Sequence, residues 1–187
     1  MLLGSNPESR AGCFDNYKAL RRARLLRAGK GNHGKPTEMT EQTRDFSEFL
    51  GYRYEDLKVG MSAATGRTVT DADILMFAGV SGDSNPAHVD EEFAKASMFG
   101  GRIAHGMLSA SYISALFANK LPGPGCIYLS QTLKFKAPVK PGDTVVARVT
   151  LKELNTPKRR AIFDTVCTVG GKVVLEGEAE MMVPARD

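Results

Sequence analysis

The most regular feature of the chain is an alternation of apolar and polar positions in its last third. In "TVVARVTLKEL" and "KVVLEGEAEMMV", every second side chain is apolar and most of those between them are polar or charged. Period-two patterns predict strands with one face in the core and one in water. The apolar positions of the two segments are Val145, Ala147, Val149 and Leu151, and Val173, Leu175, Ala179 and Met181.

Three more strands are predicted from composition and turn signals. "IYLSQTLKFKAPV" ends at the turn sequence "KPGD", and "AIFDTVCTV" ends at "GG", which is typical of a tight hairpin. Further upstream, "GMSAATGRTVT" is interpreted as a first strand leading to a turn.

Helical spacing appears in the middle of the chain. The segment "DADILMFAGV" is predicted to be a helix that Thr70 or Asp71 caps and that Gly79 and Gly82 stop. A second short helix is predicted to begin with Asp90 as its cap, because two glutamates follow where the helix dipole favours negative charge.

A third helix is predicted from Gly106 to Lys120, before the breaker "LPGPG". None of the thirteen residues before Asn119 is charged, so we expect this helix to be buried on nearly every side. One buried helix followed by antiparallel strands predicts an α+β fold, in which a curved sheet wraps around a central helix.

The positive charge is unevenly distributed along the 187 residues. The net charge is +4, but residues 1–38 hold eight Lys or Arg against three acids, while residues 39–187 hold seventeen against eighteen. We therefore predict a basic, flexible N-terminal extension over 1–38 and one folded domain over 39–187. Three interpretations of the extension stay open: an organelle-targeting peptide, an upstream stretch from a misassigned start, and a disordered basic arm.

Composition also excludes several classes of function. No run of 18 apolar residues is present, so no membrane span is expected. The nearly neutral body argues against nucleic-acid binding. Three cysteines without a CxxC spacing indicate reduced thiols and a cytoplasmic location, with an organelle matrix as the alternative if the extension is a targeting peptide. A protein-bound zinc site is not expected.

The candidate chemistry lies in "FAGVSGDSNPAHVD", residues 77–90. Pro86 prevents the preceding helix from continuing, so the chain bends and the side chains of Asp83 and His88 can converge. A carboxylate and an imidazole over one substrate atom suffice to activate water and deliver a proton. The alternative interpretation is ordinary turn chemistry, in which Asp83 and Asn85 bond their own backbone and His88 is a satisfied loop histidine.

A second segment, "GGRIAHGMLSASYIS", opens the uncharged helix. The N–H of Gly106 is among the unpaired donors of the first helical turn and could hold a developing oxyanion. The alternative is that Gly106 only permits close packing, and His105 is interpreted as structural.

Taken together, "GDSNPAHVD", "GGRIAHGMLSAS" and "YLSQTLKFKAPVKPGD" resemble the MaoC-like (R)-specific enoyl-CoA hydratases, in order and in spacing. The resemblance runs from about Tyr52 to the C-terminus and implies a hot-dog fold. It implies that the chain adds water reversibly to trans-2-enoyl-CoA to give (R)-3-hydroxyacyl-CoA. It further implies no metal and no redox cofactor, with coenzyme A present only as part of the substrate.

The resemblance also implies roles for individual residues. Asp83 and His88 would form the acid–base pair, with their order of action left open, and Asn85 would orient water or support them. The N–H of Gly106 would bind the thioester carbonyl, and Ser114 would line the acyl pocket. A homodimer or larger homo-oligomer is expected, with sheets joined edge to edge, because a hot-dog sheet exposes an edge strand.

Other functions compete with hydration. A hot-dog acyl-CoA thioesterase also needs a carboxylate near the helix end, although the spacing of Asp83 and His88 argues against it. A 3-hydroxyacyl-acyl-carrier-protein dehydratase would use the same pair. A non-catalytic acyl-CoA-binding module would be expected to carry a DNA-binding domain or a broken acid–base pair, and the sequence has neither.

Overall fold

The computed structural model describes residues 46–186. The predicted flexible extension over residues 1–38, and its boundary with the domain that begins at 39, lie outside the described residues. None of the helices within 46–186 has the length and apolar character needed to cross a bilayer.

Six antiparallel strands form a single sheet. They are β1 Ser62–Thr68, β2 Ile127–Gln131, β3 Lys134–Phe135, β4 Thr144–Asn155, β5 Arg160–Val169 and β6 Lys172–Met182. Their order in the sheet is β1-β4-β5-β6-β2, and β3 also pairs with β6. Within the described chain, β1 and β2 therefore lie at the two edges.

Four α-helices precede or interrupt the strands. They are α1 Asp71–Ser81, α2 Pro86–Val89, α3 Glu91–Ala96 and α4 Gly106–Asn119, with 3-10 turns at Ser47–Phe49, Tyr54–Asp56 and Thr156–Lys158. The longest helix, α4, packs on β4, β1, β5 and β6. The predicted α+β architecture of a sheet packed on a central helix is confirmed.

Helix α1 begins at Asp71, directly after its N-cap residue Thr70. The Thr70 hydroxyl accepts a hydrogen bond from the Asp73 N–H at 3.1 Å, and the Asp73 carboxylate accepts one from the Thr70 N–H at 2.9 Å. Arg67 on β1 donates to the same carboxylate at 2.6 Å. The Thr70 hydroxyl also donates to the Asp73 carboxylate at 2.6 Å, and this bond is the largest cause that lowers the pKa of Asp73 to about 2. The capping box thus sets the start of α1, and the Arg67 bond ties that start to the edge strand.

The strongest alternation predicts burial correctly on β4. All four apolar positions of that strand are buried: Val145, Ala147, Val149 and Leu151. The predicted "GG" hairpin is also confirmed, because Gly170 and Gly171 both have positive φ, at 54° and 82°, between β5 and β6.

Two strand predictions need correction. The register of β5 and β6 shifts between Cys167 and Thr168, so Val174 is buried in place of the predicted Val173. The single strand predicted over "IYLSQTLKFKAPV" divides into β2 and β3. At this break the Thr132 carbonyl approaches Gly177 so closely that any Cβ there would collide with it.

The prediction that α4 is buried on nearly every side is wrong for the single chain. Its buried side chains lie on one face and include Ile113 and Phe117, and the latter ring meets Phe163 at 5.1 Å between centroids. The opposite face is exposed and uncharged; its residues are Met107, Ser111, Ser114, Ala115 and Ala118. One sheet covers only half of a helix, so the uncharged pattern alone did not show which half.

Arg102 and the neighbouring Ile103 connect helices α1, α2 and α3. Arg102 donates to Asp71 at the start of α1, at 2.7 Å, and to Glu91 at the start of α3, at 3.1 Å. The segment around it is tied to α2 as well, because the Ile103 N–H donates to the Ala87 carbonyl at 3.2 Å. These bonds fix the helices that carry the candidate site.

Candidate active site

A largely apolar cavity of about 760 Å³ lies between these helices and the sheet. Its apolar walls come from α1, the segment before α4, strands β3 and β6 and the loop after β3, and include Phe77, Phe135, Val139 and Leu175. Its polar lining includes Asp83, His88, His105 and Ser109. A mostly apolar pocket with a few convergent polar groups is the usual form of a small-molecule site.

The turn between α1 and α2 brings Asp83 and His88 to this cavity. Helix α1 ends at Gly82, whose φ of 77° turns the chain away from the helix axis. Pro86 then starts α2, with the Asn85 side chain accepting from the Ala87 N–H at 3.0 Å. Two cap residues, glycine and asparagine, therefore set the bend that makes the side chains converge.

His88 is half-buried and held through one ring nitrogen. Its Nδ1 lies 2.8 Å from the Ile103 carbonyl oxygen, which can only accept, so Nδ1 carries the hydrogen. In the neutral imidazole this leaves the lone pair on Nε2. His88 is thus presented in the tautomer in which Nε2 can take a proton.

Asp83 is exposed at the cavity wall and uses one carboxylate oxygen locally. Its Oδ1 accepts a long hydrogen bond of 3.3 Å from the Asn85 N–H. Its backbone carbonyl accepts a bond of 2.9 Å from Nε2 of His105. Among the described residues, Oδ2 has no hydrogen-bond partner, so it is available to substrate or water.

His105 joins the pair, although its sequence context indicated only a structural role. It is 2% exposed, and its ring stacks on His88 with 3.8 Å between centroids and 32° between planes. The side-chain ligand atoms of Asp83, His88 and His105 all lie within 4.8 Å of one another. The three side chains therefore form one polar cluster at the cavity.

Gly106 lies next to the cluster, at the first position of α4, and lines the cavity. Its N–H belongs to the first turn, where backbone donors have no partner within the helix. A Cβ at this position would lie 2.5 Å from Cε1 of Phe135, so any larger residue would have to displace that ring. The two interpretations of Gly106, close packing and an N–H available to an oxyanion, are therefore compatible.

The other two predicted site residues lie apart from the cavity lining. Asn85 is exposed, and its side chain caps α2. Ser114 lies on the exposed face of α4, and the structure of the single chain does not place it at the cavity. Eight residues along a helix rotate a side chain by about 80° relative to the first, which carries Ser114 away from the face that continues Gly106.

Ser109 is a cavity-lining residue that the sequence analysis did not single out. It is 2% exposed, and its hydroxyl has no hydrogen-bond partner within residues 46–186. The available signal was its spacing of three residues from Gly106, which places both on one side of the helix.

Known proteins resemble this chain over the region that forms the site. The family model described as "MaoC like domain" matches residues 56–176. An (R)-specific enoyl-CoA hydratase of Rhodospirillum rubrum is 57% identical over 139 residues, which cover 74% of this chain and 96% of that protein. A 3-hydroxybutyryl-CoA dehydratase of Methylorubrum extorquens is 46% identical over 134 residues, covering 72% and 85%.

Solved structures give the same result. The unliganded R-hydratase PhaJ1 of Pseudomonas aeruginosa superposes with a TM-score of 0.70 and 44% identity, covering 73% of this chain and 88% of that one. The fold of this chain is therefore shared with a solved R-hydratase.

Proposed function

The chain belongs to the MaoC-like family with the hot-dog fold, and from this premise we propose that it catalyses (R)-specific hydration of trans-2-enoyl-CoA to (R)-3-hydroxyacyl-CoA. The reaction is reversible and makes the protein a hydro-lyase. The observation that carries the proposal is the meeting of Asp83, His88 and the Gly106 N–H at one apolar cavity.

The mechanism follows from what each group offers. The thioester carbonyl accepts a hydrogen bond from the Gly106 N–H, which stabilises the negative charge that develops on its oxygen. Water adds to C3, the Asp83–His88 pair accepts one proton from it, and the pair returns one proton to C2. His88 acts through Nε2 and Asp83 through Oδ2, because Nδ1 and Oδ1 are hydrogen-bonded to the backbone.

The substrate proposed for this cavity is a thioester whose acyl chain carries no charge. The walls are apolar, and Lys136 at the margin is already paired with Glu176 at 2.9 Å. A carboxylate on the acyl chain would lose its hydration without gaining a cation, which is costly. Coenzyme A enters as part of the substrate, and the proposed reaction needs no metal and no redox cofactor.

We also propose that the protein works as a homodimer in the cytoplasm. The exposed face of α4 is uncharged and rich in small residues, and β2 leaves one edge of the sheet unpaired within the described chain. Covering both would remove an exposed edge and apolar surface at once. A partner on this face would come close to Ser114, which supports the role that the resemblance implies for it.

The decisive experiment follows crotonyl-CoA with purified protein. Hydration removes the enoyl-thioester absorbance without releasing free thiol, whereas a thioesterase releases thiol, and a non-catalytic binding module changes neither. An (S)-specific 3-hydroxyacyl-CoA dehydrogenase should fail to oxidise the product. Rapid oxidation would contradict the proposed stereochemistry, and a strong preference for the crotonyl thioester of acyl carrier protein would favour the carrier-protein dehydratase.

A further inference from the structure

His105 is more constrained than a structural histidine requires. Three parts of the site meet on its buried ring: Phe77 at 5.0 Å and His88 at 3.8 Å between ring centroids, and the Asp83 carbonyl at 2.9 Å from Nε2. Yet Nδ1 has no hydrogen-bond partner in the part of the chain that the structure describes, although buried polar atoms are usually hydrogen-bonded. A position that only fills space would be better served by an apolar ring.

The hydrogen bond to Asp83 defines the tautomer. A carbonyl oxygen can only accept, so Nε2 of His105 carries the hydrogen, and in the neutral ring Nδ1 is left with the lone pair. His88 is held in the opposite tautomer, because its Nδ1 donates to the Ile103 carbonyl. The two stacked rings thus present different nitrogens, and only His88 has its free nitrogen assigned to chemistry.

The two members of the proposed pair have few other restraints. Asp83 lies in the turn after α1; within the described chain its N–H donates to the Ser81 hydroxyl at 3.2 Å, and its carboxylate has one bond, the 3.3 Å one from the Asn85 N–H. His88 has a single ring hydrogen bond, which leaves its plane free to tilt about that bond. The hydrogen bond from His105 to the Asp83 backbone and the contact of its ring with His88 restrain both residues at once.

We propose that His105 is a positioning residue, which anchors the Asp83 backbone through Nε2–H and fixes the plane of the His88 ring by stacking. This inference rests on the proposed hydration, for which both groups must lie over the same substrate atoms. A misplacement of about 1 Å in such a site can cost about 10²-fold in rate. His105 itself exchanges no proton with the substrate.

Three substitutions separate the hydrogen bond from the bulk of the ring. His105→Gln keeps an amide donor near the position of Nε2, His105→Asn is its matched control one methylene shorter, and His105→Phe keeps a ring without a donor. We expect kcat for crotonyl-CoA to fall about 10²-fold in the Asn and Phe variants and to recover substantially in the Gln variant, with KM little changed in all three. If folded Asn and Phe variants keep kcat within about threefold of the wild type, the proposal is overturned.

A measurement on the wild type keeps the inference testable even if a variant does not fold. The full chain has three histidines, His33, His88 and His105, so long-range ¹H–¹⁵N spectra of the imidazoles are simple, and His33→Gln and His105→Gln assign them. Well above the ordinary histidine pKa of about 6.5, His105 should be the Nε2–H tautomer and His88 the Nδ1–H tautomer. The Nδ1–H tautomer at His105 would overturn the proposal.

The two experiments also separate this inference from the function on which it rests. If the wild type leaves crotonyl-CoA unchanged, the proposed hydration fails and the positioning role fails with it. If the wild type hydrates crotonyl-CoA but His105 shows the wrong tautomer, hydration stands and only the positioning role fails.

Discussion

Replacing Asp83 by Asn tests the proposed chemistry with little disturbance of the fold. The asparagine side chain has nearly the same shape, and its Oδ1 can still accept the 3.3 Å bond from the Asn85 N–H. The backbone carbonyl, which His105 holds, is unchanged. What the substitution removes is the ability of this side chain to exchange a proton.

The expected effects on rate and on stability differ enough to be told apart. A positioned acid–base group contributes about 10²- to 10⁴-fold in rate. At about 1.36 kcal/mol per tenfold, this is about 3–5 kcal/mol of transition-state stabilisation. The free energy of unfolding should change by no more than about 0.5 kcal/mol, as is usual for exposed positions without a strong contact.

The assay is loss of the enoyl-thioester absorbance of crotonyl-CoA, with circular dichroism and urea unfolding as controls for the fold. His88→Ala should lower the rate comparably, and the double variant should be little worse than either single one, because groups that act as a unit are not additive. A folded Asp83→Asn variant that hydrates crotonyl-CoA within about threefold of the wild type would refute the reasoning. Asp83 would then serve the turn alone.

Three other substitutions test the surroundings of the site. Gly106→Ala should lower kcat/KM for crotonyl-CoA by about tenfold or more, because the new Cβ displaces the Phe135 ring at the cavity. Adding Phe135→Ala should restore part of the loss. An unchanged rate in Gly106→Ala would contradict this, since it would show that the ring moves aside without cost. Asp73→Asn should lower the free energy of unfolding at pH 7 by about 2 kcal/mol, measured with urea. The low pKa of Asp73 stabilises the fold above the unfolded value of about 3.9, so the difference from wild type should shrink as the pH falls from about 4 towards about 2; a difference independent of pH would contradict this. Ala115→Arg, on the exposed face of α4, should convert a wild-type dimer to monomers in light scattering, and a monomeric wild type at micromolar concentration would refute the dimer.

Elements governed by local chemistry could be predicted from the sequence. The cap at Thr70, one of the two residues predicted for it, the cap at Asp90 and the glycine hairpin at 170–171 each depend on a few neighbouring residues, and all appear in the structure. The alternation on β4 was equally informative, because a strand with one buried face must repeat every two residues.

The features that sequence could not give depend on contacts between distant segments. The break between β2 and β3 depends on the approach of the Thr132 carbonyl to Gly177, which is 45 residues away along the chain. The inward turn of Val174 depends on a register shift against β5. Neither leaves a periodic signal in its own segment, because the cause lies in the neighbouring strand.

The same distinction holds for the candidate site. The approach of Asp83 to His88 depends on a local bend at Gly82 and Pro86, and it could be predicted. The contact of His105 with this pair could not be predicted, because it depends on packing of the start of α4 against a turn more than twenty residues earlier in the chain. A histidine before a helix has no sequence feature that distinguishes a space-filling ring from one that holds a site.

The two interpretations of the turn, structural and chemical, turn out to be compatible rather than exclusive. Oδ1 of Asp83 accepts from the Asn85 N–H, and Nδ1–H of His88 donates to the Ile103 carbonyl, as a purely structural turn would require. Each side chain has a second polar atom, and both residues line the same apolar cavity. The local bonds therefore restrict the rotation of each side chain and fix which atom remains free. Groups held in this way lose little freedom when substrate binds, which is the condition for efficient proton transfer.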